Sequence, residues 1–448
     1  MNPIPVVPEE GGPLSSLFRF RQAPLDHVRY VTQFGDLVRW RFGWMWFHQA
    51  NDPNLVHEIL VRQASRFHKT PRNKAVFRDV LGEGLLVSDG EYWKRQRRLV
   101  GPAFHSQRIN SYGQTMVDHT LKMLAGWQPE ATVDVRHEMM KLTLGIVVKT
   151  LFDAEMDEEV FDRVGQAVTI AQETGNARFR KLVELPRWVP TASHRRARSA
   201  AEVLDSVILN LIADRRAEGV DHGDLLSMML MVHDEDGARG MTDRQAKDEA
   251  MTLFLAGHET TALALTWAWV LLNQNPQVKA QLRAEVASVA GERPLKVDDL
   301  PRLTYTEKVV KETMRVYPPA WIIARQAIEP VRLGDYQLPE GAVVMISPYG
   351  LHHDPRLFEQ PDVFDPERFS PVREEALPRF AYIPFGGGPR ICIGNSFAMM
   401  EARLILATMV QRIDLVRISP DPVEPDPLIT LRPKNPVMME VRRVSELV

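Results

Sequence analysis

The single cysteine of this chain, Cys392, suggests the chemistry of the protein most directly. It is the only cysteine among the 448 residues, which excludes an internal disulfide and any zinc or iron–sulfur site built from several cysteines. One thiolate can still ligate a heme iron from one side, where it donates electron density that favours cleavage of an O–O bond. The alternative is a buried structural cysteine, which is the usual state of a free thiol.

The residues around Cys392 suit an axial ligand of a flat cofactor. Segment 385–394 reads FGGGPRICIG, and its glycines allow the backbone to approach such a cofactor closely. Phe385 can cover the sulfur, Arg390 supplies a cation beside it, and an apolar, helix-prone run follows at residues 397–410. The segment resembles the heme-binding signature of the cytochrome P-450 superfamily, Phe-Gly-x-Gly-x-Arg-x-Cys-x-Gly, at every position.

A second candidate site lies in the most apolar part of the chain. Thr242 and Gln245 have the spacing of a capping box, and Asn275 followed by proline ends the apolar pattern. These signals predict a helix of about 50 Å, which has to run through the centre of the molecule. Residues 256–261 of this helix read AGHETT.

The AGHETT segment is unusual for a helix interior. Gly257 costs about 1 kcal/mol relative to alanine, and Glu259 places a charge in an apolar run. We therefore expect a local opening of the helix beside a cavity; a plain kink with a buried glutamate is the alternative. The segment resembles the Ala/Gly-Gly-x-Asp/Glu-Thr motif of the same superfamily. The resemblance implies that Thr260 handles oxygen and protons, that Glu259 relays protons, and that His258 is structural.

Two further motifs point to residues that hold a heme. Glu312 and Arg315 share one helix face, which is usually a solvated pair, but the resemblance implies a buried triad with Arg368 that supports the cysteine loop. Heme propionates are carboxylates, which favour arginine and indole N–H groups. The resemblance assigns the propionates to Trp93, Arg97, Arg325 and Arg390, with Lys69 as a further candidate. The remaining basic residues of that segment, Lys94, Arg95 and Arg98, form a solvated face that we expect to dock an acidic redox partner.

Composition and charge indicate the general class of the protein. The chain has 44% hydrophobic and 25% charged residues and a net charge of −3, so it is an ordinary globular protein with no general attraction to nucleic acid. Residues 250–272 are apolar enough to suggest a membrane span, but the glutamate at their centre favours a buried helix. One cysteine fits a reducing compartment, and we expect a cytoplasmic protein.

The pattern of elements predicts a mostly α protein of the α+β class, with a large helical region around the central helix and a small β-rich region. A hairpin is expected at residues 38–47 and further strands at 321–347, whereas 65–89 reads as irregular. We expect one heme-thiolate domain over residues 1–448. No flavin or nicotinamide segment follows the cysteine loop within the chain, so we expect no fused reductase.

Together the motifs indicate a heme-thiolate monooxygenase that binds heme b and O₂ and takes electrons from a separate ferredoxin or flavodoxin with its reductase. The alternatives are a heme-thiolate peroxygenase or isomerase, and a heme-based sensor without turnover. By analogy with the superfamily, the substrate is lipophilic and contacts the 70–88 segment and Phe254, Ala256, Trp321, Ile322 and Ile323.

The substrate region carries two finer hints. Residues 314–325 (MRVYPPAWIIAR) look similar to bacterial carotenoid and fatty-acid hydroxylases. For the basic span 178–198, which contains Trp188, three interpretations are open: a mobile lid, a segment that touches membrane lipid, or an ordinary solvated helix pair.

Overall fold

The computed structural model describes residues 2–9, 12, 14–154, 158–180, 189, 191–231 and 241–444. Helices dominate, as the sequence predicts. The α-helices are α1 (Ser15–Gln22), α2 (Pro24–Thr32), α3 (Pro53–His57), α4 (Pro71–Leu81), α5 (Gly90–Val100), α6 (Ser106–Ala125), α7 (Val135–Phe152), α8 (Glu158–Arg180), α9 (Ala192–Glu218), α10 (Leu225–Met231), α11 (Asp243–Gln274), α12 (Pro276–Ala290), α13 (Thr304–Val316), α14 (Pro348–His352), α15 (Pro371–Ala376) and α16 (Asn395–Arg412).

The strands form small sheets, which confirms the predicted minor β region. They are β1 (Leu37–Phe42), β2 (Met45–Ala50), β3 (Phe67–His68), β4 (Thr132–Asp134), β5 (Ile323–Ala327), β6 (Val331–Leu333), β7 (Tyr336–Leu338), β8 (Val343–Ile346), β9 (Ile413–Arg417), β10 (Pro425–Pro427), β11 (Leu431–Pro433) and β12 (Met438–Arg443). The largest sheet has the order β1-β2-β8-β5-β3, and β4-β12-β9 form a second sheet. The predicted hairpin is confirmed: β1 and β2 pair antiparallel, with Phe42 opposite Met45.

The central helix α11 begins and ends where the sequence predicts. Thr242 and Gln245 complete the capping box, and Asn275 is the C-terminal cap. The first half of the helix packs in an apolar cluster with α7, α8, α9 and α10, and the second half packs with α6, α12, α13 and α16. A helix with apolar partners on all sides has to lie at the centre of the fold.

The local opening expected around Gly257 is wrong, because α11 is continuous from Asp243 to Gln274. Packing explains the glycine instead. A Cβ at position 257 would lie 3.1 Å from Val147 Cγ2 on α7, so a small residue permits close contact of the two helices. Thr143, also on α7, donates its hydroxyl to the His258 carbonyl at 2.8 Å. This hydrogen bond holds α7 against α11.

The irregular segment predicted at residues 65–89 is wrong over its middle, which forms α4. Pro71 occupies the first helical position, where the missing N–H has no intrahelical partner to lose, and Gly82 ends the helix with φ of 53°. The loop 82–88 is irregular, as predicted. It is fastened to α11 where the Glu83 and Leu85 amides donate to the carboxylates of Asp248 and Glu249 at 3.0 and 2.9 Å.

Within the described residues, the helices are too short or too polar to cross a bilayer. Part of the proposed lid, including Trp188, lies outside those residues.

The loop that carries Cys392 requires glycine at position 388. Gly388 has φ of 68°, and a Cβ there would lie 1.9 Å from the carbonyl oxygen of Leu60. Both the backbone conformation and the close approach exclude a side chain, because the obstructing atom is backbone and cannot move aside.

We expect Gly388→Ala to lower the free energy of unfolding by at least about 2 kcal/mol. Gly165→Ala is the matched control, since Gly165 lies within α8 and no atom lies within 4 Å of an added Cβ. That change should raise stability by up to about 1 kcal/mol. Urea titrations of both variants measure the difference, and equal stabilities would contradict the proposed constraint.

Candidate active site

A cavity of about 510 Å³ lies beside α11 and brings together residues that are far apart in sequence. Cys392 and Phe385 line it from the cysteine loop, and Ala256, Glu259 and Thr260 line it from the central helix. The rest of its wall is mostly apolar. A thiol, an acid and a hydroxyl therefore line one cavity.

Cys392 lies in the cavity wall, and its side chain is open to the cavity. The loop is fixed because the Cys392 N–H donates to the Phe385 carbonyl at 3.0 Å. Burial raises the pKa of the thiol, and the Gly394 N–H and the charge of Arg97 oppose that rise. Both opposing groups favour the thiolate, which is the form that ligates metals.

Four cations line another part of the same cavity, and we call Lys69, Arg97, Arg325 and Arg390 the cation cluster. Burial lowers the pKa of Arg325 to about 10, with Arg390 as the next cause. The pKa of Lys69 is also well below its usual value, because of burial and of Arg390 and Arg325. The indole of Trp93 adds to this wall, and the Arg390 guanidinium lies over its ring at 4.2 Å.

The cation cluster has too little negative charge around it. Within the part of the chain that the structure describes, its one ion pair is Arg390 to Asp89 at 2.5 Å, and Asp89 also pairs with Lys74 at 2.7 Å. Buried charges require counter-charges. A cofactor with two carboxylates would supply them, so the two propionates of a heme fit this wall, and the single facing thiol fits its iron.

Glu259 has the environment of a proton relay. Its Oε1 accepts a 2.9 Å hydrogen bond from the hydroxyl of Thr430. Burial raises the pKa of Glu259 to about 7, and Thr430, Arg432 and Arg136 oppose the rise. A carboxyl with a pKa near neutrality can both hold and release a proton. Thr260, the next residue, donates its hydroxyl to the Ala256 carbonyl at 2.8 Å.

The structure brings Glu312, Arg315 and Arg368 together in the interior. Glu312 accepts from Arg315 at 2.7 and 2.9 Å and from Arg368 at 3.3 Å, and all three side chains are buried. The two arginines also donate to carbonyls of the segment between α14 and the cysteine loop, which are those of His352, Gln360, Pro361 and Val363. The triad therefore fixes the segment that leads into the cysteine loop.

Two of the predicted substrate contacts, Phe254 and Trp321, are not part of the cavity wall. Phe254 is turned away from the cavity and lies 6.3 Å from the Phe152 ring on α7; the neighbouring Leu253 lines the cavity instead. Trp321 is buried elsewhere because its indole N–H donates to the Leu428 carbonyl at 2.8 Å. Ala256, Ile322 and Ile323 do line the cavity. His258 is fully buried and bonds the Phe254 carbonyl at 3.0 Å.

Sequence reasoning missed Asp89 and Thr430. Asp89 follows the 82–88 loop and partners Arg390 some 300 positions later, and Thr430 lies in the turn before β11. Neither belongs to a motif, and only the tertiary fold places them beside the candidate residues.

The comparisons agree with this geometry. A family model described as Cytochrome P450 matches residues 13–441. The chain belongs to the cytochrome P450 family. Among its relatives, cyclooctatin synthase of Streptomyces melanosporofaciens is 39% identical over 91% of this chain and 89% of the relative. Cyclooctat-9-en-7-ol 5-monooxygenase of the same organism is 34% identical over 87% and 84%, and pentalenene oxygenase of Streptomyces avermitilis is 33% identical over 90% and 89%.

The protein is therefore a P450 monooxygenase with heme b as its cofactor, which oxygenates a lipophilic molecule with O₂ and electrons from redox partners. When bound, the heme supplies the reductive activation of O₂. The chain provides a thiol, buried cations, a buried carboxyl and apolar side chains around one cavity.

The triad of Glu312, Arg315 and Arg368 depends on its one acid. Glu312→Gln leaves two buried arginines without an anion, so the free energy of unfolding should fall by about 3–5 kcal/mol, and heme retention should fall with it. Glu374→Gln is the control: this acid pairs with Lys311 at 2.9 Å but is 39% exposed, so its loss should cost at most about 1 kcal/mol. Chemical unfolding and heme absorbance measure both effects, and equal losses would refute the structural role of the triad.

The hydrogen bond from Thr430 to Glu259 should control the pKa of this acid. Its hydroxyl stabilises the ionised form of Glu259, so Thr430→Val should raise the pKa of Glu259 above about 7. The alkaline limb of the pH–turnover profile should then move to higher pH, because the protonated acid survives longer. Thr430→Ser keeps the donor and should leave the limb in place. Infrared titration of the carboxyl band, assigned with Glu259→Gln, gives the pKa directly; identical bands in the valine and serine variants would contradict the assignment.

Proposed function

We propose that this P450 hydroxylates or epoxidises an apolar cyclic molecule of the terpenoid class. The observation that carries the proposal is the meeting of the Cys392 sulfur, the cation cluster and the Glu259–Thr260 pair at one mostly apolar cavity. Two of the relatives are named as oxygenases of cyclooctat-9-en-7-ol and of pentalenene. Both names support a terpenoid skeleton as the substrate of this protein. The cavity wall described below favours such compounds over fatty acids.

The proposed roles follow from position. Cys392 would supply the sulfur ligand of the heme iron, and Trp93 with Arg97, Arg325 and Arg390 would hold the propionates. Phe385 covers the sulfur side. Glu259 holds a proton close to the cavity, and Thr260 directs it to the oxygen-binding position. Glu312, Arg315 and Arg368 support the cysteine loop and take no part in the chemistry.

We further propose that residues 1–448 act as one heme-thiolate domain in the cytoplasm, where reduced nicotinamide is supplied. Electrons then come from a separate ferredoxin or flavodoxin and its reductase. The basic residues of α5 support this: Lys94 and Arg98 are exposed on the helix that also carries Trp93 and Arg97, so an acidic partner can dock close to the heme.

The decisive experiment is the carbon monoxide difference spectrum of the reduced protein. The wild type should show the long-wavelength band of thiolate-ligated heme. Cys392→Ser should lose that band, because a hydroxyl replaces the thiolate, while a Ser396→Ala control at an exposed position should retain it. An unchanged band in Cys392→Ser would refute the proposed ligand.

Turnover distinguishes the enzyme classes. A terpenoid panel with a ferredoxin, its reductase and NADPH should yield oxygenated products that incorporate ¹⁸O from ¹⁸O₂. If products form only when peroxide is supplied, the protein is a peroxygenase instead. Ligand binding without any product would indicate a sensor.

A further inference from the structure

One part of the cavity wall is polar without being charged. Three side-chain amides line it, and we call Asn73, Gln172 and Asn176 the amide cluster. Asn73 is on α4, and the other two are on α8. Their neighbours in the lining are apolar, such as Val76 and Val80. Amides that face an otherwise apolar cavity fix the orientation of a ligand by hydrogen bonding.

The fold places these amides on facing helices. Gln172 and Asn176 are four residues apart, so they share one face of α8. Between them, Gly175 allows close packing: a Cβ there would lie 3.0 Å from Ile429 Cδ1 and 3.8 Å from Val76 Cγ1 on α4. Asn73 lies in the first turn of α4, where its N–H is capped by the Thr70 hydroxyl at 3.2 Å.

The hydrogen-bonding capacity of the amide cluster is largely unused. The Nε2 atom of Gln172 is buried and has no partner among the described residues. Asn176 uses its Oδ1 to accept from the Ile429 N–H at 2.8 Å, which leaves its amide nitrogen available. Buried amides without partners are uncommon, and each requires an explanation.

We propose that the amide cluster binds a neutral oxygen atom, a hydroxyl or a carbonyl, that the substrate already carries away from the carbon to be oxidised. This inference rests on the proposed function and narrows its substrate class to terpenoids with one existing oxygen function. A plain hydrocarbon in this cavity displaces water from the amides and leaves them unpaired, which selects against it.

The charge pattern also excludes a carboxylate at this position. The lining cations are the members of the cation cluster, whose charges the propionates would neutralise. Arg178 lies on α8 beside Asn176, but it is paired with Asp79 at 2.6 Å. A fatty acid would therefore bring a charge into a neutral wall without a counter-ion, which is costly.

The test uses calorimetric titration of the heme-loaded protein with two terpenoids of one skeleton and with a fatty acid. The probes are cedrene, its alcohol cedrol, and palmitic acid. The wild type should bind cedrol about tenfold more tightly than cedrene, and palmitic acid more weakly than cedrol. Gln172→Leu, and independently Asn73→Leu, should reduce the preference for cedrol to less than about threefold by weakening cedrol. Val80→Ala is the control and should weaken both terpenoids by the same factor.

The outcomes separate the two hypotheses. If cedrene and cedrol bind equally to the wild type, or if the preference survives in both leucine variants, the amide cluster proposal is wrong while the terpenoid function stands. If neither terpenoid binds, or palmitic acid binds most tightly, the proposed substrate class itself is wrong. The carbon monoxide band, recorded for every variant, verifies that each one is folded around its heme.

Discussion

The structure depends on one electrostatic constraint, which is that charges are buried around a cavity that must itself hold a charged cofactor. The cation cluster faces this space with Asp89 as its one ion-pair partner within the described residues. Heme b would resolve this imbalance, since its two carboxylates would neutralise cations and its iron would bind the thiolate of Cys392. Arg97 connects the cation cluster with the cysteine loop, because its charge also favours the ionised form of the Cys392 sulfur. Cofactor binding therefore stabilises the folded state.

The same constraint explains the acids along α11. Burial raises the pKa of Glu249 to about 8 and that of Glu259 to about 7, so near neutral pH both are largely or partly protonated and bring little charge inside. Ten residues separate them, which is about 15 Å along a helix. Glu249 fastens the loop 82–88, whereas Glu259 faces the cavity beside Thr260. One rigid helix thus sets the distance between the loop 82–88 and the Glu259 carboxyl.

Motifs and periodicity in the sequence predicted much of the fold. The bounds of α11, the β1–β2 hairpin and the mostly α fold follow from capping residues, alternation and helical spacing, which are local properties. Local rules failed where tertiary packing decides: Pro71 starts a helix instead of preventing one, and Gly257 permits contact with α7 instead of opening α11. The orientations of Phe254 and Trp321 depend on their distant partners Phe152 and Leu428. Sequence gives no signal for such pairs.

The turn between β10 and β11 shows why the site could not be assembled from motifs alone. Its residues bond to distant elements: Trp321 donates to the Leu428 carbonyl, Asn176 accepts from Ile429, Thr430 donates to Glu259, and Trp267 donates to the Leu431 carbonyl. Ile429 and Thr430 both line the cavity and are joined by one peptide bond. Ile429, which bonds to Asn176 on α8, is therefore adjacent in sequence to Thr430, which bonds to Glu259. One peptide bond therefore separates the hydrogen bond to α8 from the hydrogen bond to Glu259, so a single turn positions both the amide-bearing helix and the buried carboxyl.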